Sequence, residues 1–167
     1  MNIRFFNYII LGFLAIVLCS CKNENPNAGK KVFRYNEASN INTVDPAYAK
    51  GQAMSWVDVQ LYNGLVQMDN NLNVIPSIAK SWNVSNDGLE YTFYLRNDVY
   101  FHPHELFENG KRRVVASDFV YSLNRIVDAK TMSPGAVFFE NVEKINGRYS
   151  FFAPNDTTFV VRLKQAF

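Results

Sequence analysis

The sequence predicts a mixed α+β fold, within the broad α/β class, in which short strands outnumber helices. Alternation at period two runs through Tyr91, Phe93 and Leu95 and returns in Phe159, Val161 and Leu163. Phe119, Val120, Leu123, Ile126 and Val127 share one helical face. Asn86-Asp87-Gly88, Asn146-Gly147 and Pro154-Asn155-Asp156 are turn signals between extended runs. With 17 basic and 15 acidic residues the formal charge is +2, too even for a nucleic-acid footprint. At 48% hydrophobic and 19% charged, the chain is too apolar to be wholly disordered.

Taken in order, residues 1–21 have the layout of a secretory signal. Arg4 supplies a positive charge, and an apolar run from Phe5 to Leu18 follows, interrupted by Asn7 and Gly12. A spanning helix needs about 20 apolar residues, so the run is short for a permanent anchor. Leu18-Cys19-Ser20-Cys21 resembles the bacterial lipobox, which implies that Cys21 is acylated and becomes the new N-terminus. Cys19 fits less well because bulky Leu18 would sit beside the cut. An ordinary cleaved signal and an uncleaved anchor are the alternatives. Residues 22–31 are polar, contain Pro and Gly, and read as a flexible tether.

Val32–Tyr35 is expected to be a short strand, followed by Asn-rich loop to Pro46. Ala53, Trp56, Val57, Leu61 and Leu65 recur at three and four, predicting an amphipathic helix with a core-facing stripe that ends near Gly64. Val66–Met68 and Val74–Ile75 should pair about Asp69-Asn70-Asn71. Pro76 is expected to open a helical turn through Ala79, and buried Trp82 to begin an extended piece. Tyr91–Arg96 is the clearest strand and Ala116–Asp128 the best helix. Asn141–Ile145 and Tyr149–Phe152 form a hairpin, and Thr158–Leu163 a last strand. That strand runs on to Phe167 without polar fraying, so the chain is expected to be cut from a longer one.

Chemistry-bearing patterns are sparse. His102 and His104 flank Pro103 beside Glu105 and Glu108, a set that could ligate a metal but reads as a solvated loop. Neither a metal nor a cofactor is implied, and no nucleophile with a neighbouring base is signalled. The glycines stand apart, with no phosphate-binding spacing.

Several phrases in order resemble the extracellular solute-binding protein family 5, the oligopeptide- and dipeptide-binding lipoproteins of ABC importers. They are Val44-Asp45-Pro46, Tyr62-Asn63-Gly64-Leu65, the run Ile75-Pro76-Ser77-Ile78-Ala79-Lys80-Ser81-Trp82, the stretch from Ser85 to Arg96, and Ala116 to Arg125. The resemblance implies a type II periplasmic-binding-protein-like fold, present in part. Residues 32–60 would be the first part of lobe I and 61–167 the small extra subdomain.

In such proteins two lobes close over the ligand, and an extended peptide is held partly through its main chain. The resemblance implies ligand contacts at Lys50, Gly51 and Gln52, just after Val44-Asp45-Pro46, and at Gly135, where relatives may offer an aromatic ring. It implies no catalytic residue. The implied protein is a monomer held in the cell envelope by its lipid, facing the periplasm or exterior. Its partners are a peptide or other small solute and the subunits of a permease, with no nucleic acid. Two departures stand out: an insertion from Pro103 to Glu108, and Val115 where a Thr usually caps the helix. The rival readings are a surface lipoprotein hydrolase and a structural lipoprotein.

Overall fold

The computed structural model describes residues 27–166. The predicted signal, Cys21 and the first part of the tether lie outside them. The chain divides into two units, Met1–Glu37 and Ala38–Phe167.

In the first unit, the Lys30 amide donates to the Asn27 carbonyl at 3.0 Å, closing a turn. The Phe33 and Tyr35 rings stack with centroids 6.5 Å apart, and the Tyr35 hydroxyl donates to Glu37. The strand expected at Val32–Tyr35 is not formed. Extended backbone becomes a strand only by pairing, and no partner edge meets this segment among the described residues.

The second unit is built on an antiparallel sheet. β1 (Val66–Met68) and β2 (Val74–Pro76) form a separate hairpin. Asp69 fixes its turn, accepting from the Asn71 and Asn73 amides at 2.8 and 2.9 Å. The main sheet has the order β3 (Ala79–Val84), β4 (Glu90–Leu95), β8 (Thr158–Arg162), β7 (Phe151–Asn155). β5 (Lys144–Ile145) and β6 (Arg148–Tyr149) make a small ribbon before β7.

The helical turn expected from Pro76 is absent. Pro76 closes β2 opposite Val66, and the next amides bond outward, Ile78 to the Gly64 carbonyl and Ala79 to that of Leu65. A proline without N–H is tolerated at such a strand end, and the outward bonds hold the chain extended into β3.

Between Asn155 and Thr158 a tight turn brings β8 back, so that Phe159 lies opposite Phe93. Phe151, Phe159, Leu95, Val142, Ile78 and Ala79 are buried in one cluster. The Phe, Leu, Ile and Val side chains among them contribute about 1.5–3 kcal/mol each when fully buried.

α2 (Ala116–Val127) covers β7 and β8 with the stripe the sequence predicted, Phe119, Val120, Leu123 and Val127 packing on the cluster. Its start is anchored where the Ala116 amide donates to the Asp156 carbonyl at 2.8 Å. Valine offers no side-chain acceptor at the cap, where the Asp118 amide donates to the Val115 carbonyl at 3.0 Å, and Asp118 supplies the return bond, accepting from the Val115 amide at 2.9 Å.

α1 (Gln52–Leu61) forms where expected but ends earlier, and none of its residues is buried. Its stripe therefore does not reach the core, and Trp56 remains 50% exposed. The helix that packs on β7 and β8 is α2. Trp82, predicted inside, is half-buried on β3, an outer strand of the sheet.

Candidate ligand-binding segments

Two segments carry the ligand positions implied by the sequence, and both lean on α2. The first is a short 3-10 turn, η1 (Pro46–Tyr48). Asp45 caps it, its Oδ1 accepting from the Ala47 amide at 3.1 Å, and Pro46 supplies a preset φ at the first position. Tyr62 braces the approach, its hydroxyl donating to the Val44 carbonyl at 2.9 Å.

The chain then passes Lys50 and Gly51 into α1. Gly51 has φ +85° and ψ 170°, a conformation essentially reserved for glycine. A Cβ there would meet nothing within 4 Å, so glycine is set by the backbone rather than by crowding. Its carbonyl accepts from the Ser55 amide and hydroxyl. Lys50 and Gln52 are exposed.

The second segment is another 3-10 turn, η2 (Pro134–Phe139), which packs against η1. Buried Ser133 caps it, accepting from the Gly135 amide at 3.2 Å. Gly135 is half-buried, and a Cβ there would lie 3.6 Å from Ile126 Cγ2 on α2. The structure thus brings the Lys50–Gln52 stretch and Gly135 onto two segments whose 3-10 turns are packed together.

Sequence reading missed the residues that hold this arrangement. Arg125 donates to both oxygens of Asp45, at 2.8 and 2.5 Å, and its guanidinium lies 5.6 Å from the Tyr48 ring centroid. The Arg125 hydrogen bonds, helped by the Ala47 amide, hold the Asp45 carboxyl below the usual carboxylate range. Asp58 on α1 behaves oppositely: loss of water and the nearby Asp45 charge push it up, and its Oδ1 is buried without a hydrogen-bond partner. Both Asp45 and Arg125 stood in the phrases that carry the resemblance, but their pairing spans 80 residues and leaves no local signal.

The histidine loop holds itself together. His104 Nδ1 accepts from the Leu106 amide at 3.1 Å, and its ring meets the Phe107 ring edge-on. Among the described residues no group of three or more His, Cys, Asp or Glu side chains is placed to hold a metal.

This architecture is that of periplasmic binding proteins. It resembles Haemophilus influenzae OppA in complex with RPPGFSPFR, with a TM-score of 0.65 and 32% identity over 75% of this chain and 25% of that one. The sequence model of the bacterial extracellular solute-binding proteins, family 5 Middle, matches residues 73–167, and the chain belongs to that family.

Relatives include the oligopeptide-binding protein AliB of Streptococcus pneumoniae, 32% identical over 74% of this chain and 18% of that protein. Another is named the probable deoxycholate-binding periplasmic protein YgiS of Escherichia coli, 34% identical over 66% of this chain. The chain spans 19% of the length of YgiS, so it corresponds to a minor part of such proteins.

Proposed function

We propose that the chain is the N-terminal part of the substrate-binding lipoprotein of an ABC importer, which captures peptides or a related small solute and delivers them to a membrane permease. In this reading residues 1–21 are the lipoprotein signal, Cys21 carries the lipid, and 22–31 are the tether. Residues 32–60 begin lobe I, and 61–167 are the small subdomain. The receptor acts as a monomer at the envelope surface and catalyses nothing.

The observation that carries the reading is the packing of η1 against η2 within a chain of this family. Lys50 would meet a ligand carboxylate, Gly51 and Gln52 would offer backbone and amide hydrogen bonds at close approach, and Gly135 would leave room for the ligand main chain. Relatives named for oligopeptides support a peptide ligand, whereas the one named for deoxycholate supports a wider range of solutes. Lys50 would suit the carboxylate of either.

The test is uptake. Cells lacking the gene should lose import of a labelled tripeptide and recover it with the wild-type copy. A Cys21→Ser copy should yield protein that takes up no palmitate label and leaves the membrane fraction. Unchanged tripeptide, dipeptide and bile-acid uptake in the deletion strain would overturn the reading.

A further inference from the structure

The ion pairs of the second unit differ in what they join. Arg96 also forks onto Asp98, through Nε and Nη2, but the two are exposed and two residues apart, and Arg112 pairs with Asp118 six residues away. Such pairs stiffen a local stretch and contribute little to stability. Arg113–Asp156 reaches farther, but through a single bond to a carboxylate that is 70% exposed.

Arg125–Asp45 is of another kind. Arg125 Nη1 donates to Asp45 Oδ1 and Nη2 to Oδ2, the two side chains are only 36% and 35% exposed, and 80 residues separate them. A two-pronged pair fixes direction as well as distance, which a single contact does not.

Asp45 is also the residue that starts η1. The oxygen that takes a bond from Arg125 Nη1 takes one from the Ala47 amide, and the Asp45 carbonyl accepts from the Tyr48 amide at 2.9 Å. The Asp45 amide is bound in turn by Thr43 Oγ1 at 3.0 Å. The Arg125 guanidinium also covers the Tyr48 ring, two residues before Lys50. Its immediate neighbour Ile126 is the side chain that backs Gly135. Consecutive residues of one rigid helix therefore touch both segments.

We infer that Arg125 is the positioning residue of the Lys50–Gln52 loop, acting through Asp45 and Tyr48 to set that loop in register with Gly135. The inference rests on the ligand-binding role proposed above for Lys50, Gly51 and Gln52. Arginine is needed for its fork, so a lysine that keeps the charge does not replace it. Asp58 makes the position sensitive, since the Asp45 charge already acts on its carboxyl and loss of the guanidinium would leave that charge without its Arg125 partner.

The test uses the receptor made from its complete reading frame, with amide hydrogen exchange and calorimetric titration against a mixture of tri- to pentapeptides. In Arg125→Ala and Arg125→Lys alike, exchange at Ala47 and Tyr48 should quicken by about fivefold or more while Leu95 and Phe159 amides stay as protected as before. The peptide Kd should rise about tenfold in both variants. Unchanged exchange at Ala47 and Tyr48 in Arg125→Ala would overturn the inference, as would full rescue of both readouts by lysine. So would a wild-type Kd in Arg125→Ala when Lys50→Ala and Gly51→Ala weaken binding. If the wild type binds none of the peptides, the ligand reading fails by itself, and the exchange measurement still decides whether Arg125 positions the loop.

Discussion

Phe93 and Phe159 stand opposite one another on the two middle strands of the sheet, with ring centroids 6.2 Å apart. Phe159 continues the contact to Phe151 at 6.4 Å and to Phe119 of α2 at 5.9 Å. One side chain thus joins three strands to the helix that carries Arg125.

Phe159 is 1% exposed. Phe159→Ala should destabilise the chain by about 3–5 kcal/mol, read from urea denaturation, with Phe159→Leu losing much less. A loss under about 1 kcal/mol would show that the junction does not organise the core.

The N-terminus of α2 is half capped. Val115→Thr offers the Asp118 amide a side-chain acceptor beside the Val115 carbonyl, to which it already donates at 3.0 Å, while Asp118 continues to bind the Val115 amide, so thermal stability should rise by about 0.5 kcal/mol. Asp118→Ala should lower it, since it removes both the return bond and the partner of Arg112. Equal stability of the Val115→Thr variant and wild type would contradict the cap assignment.

Two aspartates should give opposite pH signatures. The carboxyl of Asp45 is depressed by Arg125, so it stabilises the fold above the ordinary carboxylate range and loses that contribution as pH falls through its lowered pKa. Asp45→Asn should therefore lower Tm at pH 7, and the difference should vanish in acid. Asp58 is raised by burial and by Asp45, so its ionised form disfavours the fold until protonation relieves it. Asp58→Asn should raise Tm at pH 7, and that gain should fade as pH falls. The same sign for both variants would contradict the arrangement.

Gly51 and Gly135 should respond differently to alanine. At Gly51 the left-handed φ of +85° makes Gly51→Ala cost about 1–3 kcal/mol although the space is open. At Gly135 a Cβ would make ordinary contacts at 3.5 and 3.6 Å with Ser133 and Ile126, so Gly135→Ala should shift stability by no more than about 0.5 kcal/mol. Circular dichroism melts of the two variants make the comparison directly.

The sheet and α2 were legible because their signals are local. Alternation in Tyr91, Phe93 and Leu95 gave β4, and a helical stripe gave α2. The exceptions share one cause, in that partners decide them rather than residues. Val32–Tyr35 has the composition of a strand but pairs with no strand among the described residues, and α1 has a stripe but buries none of its residues. Pro76 looked like a helix start, yet hydrogen bonds to Gly64 and Leu65 keep the following residues extended. Lys50, Gly51, Gln52 and Gly135 were reached only through the family resemblance. The pair that ties their segments to α2 is formed across 80 residues, where periodicity says nothing.

The most direct test of the account is calorimetric titration of the complete receptor with a mixture of tri- to pentapeptides, set beside residues 22–167 alone. The account predicts micromolar or tighter binding by the complete receptor that weakens in Lys50→Ala and Gly51→Ala. It also predicts no comparable binding by residues 22–167, which would supply a single wall of the cleft. Micromolar binding by residues 22–167, or a complete receptor indifferent to both substitutions, would contradict it.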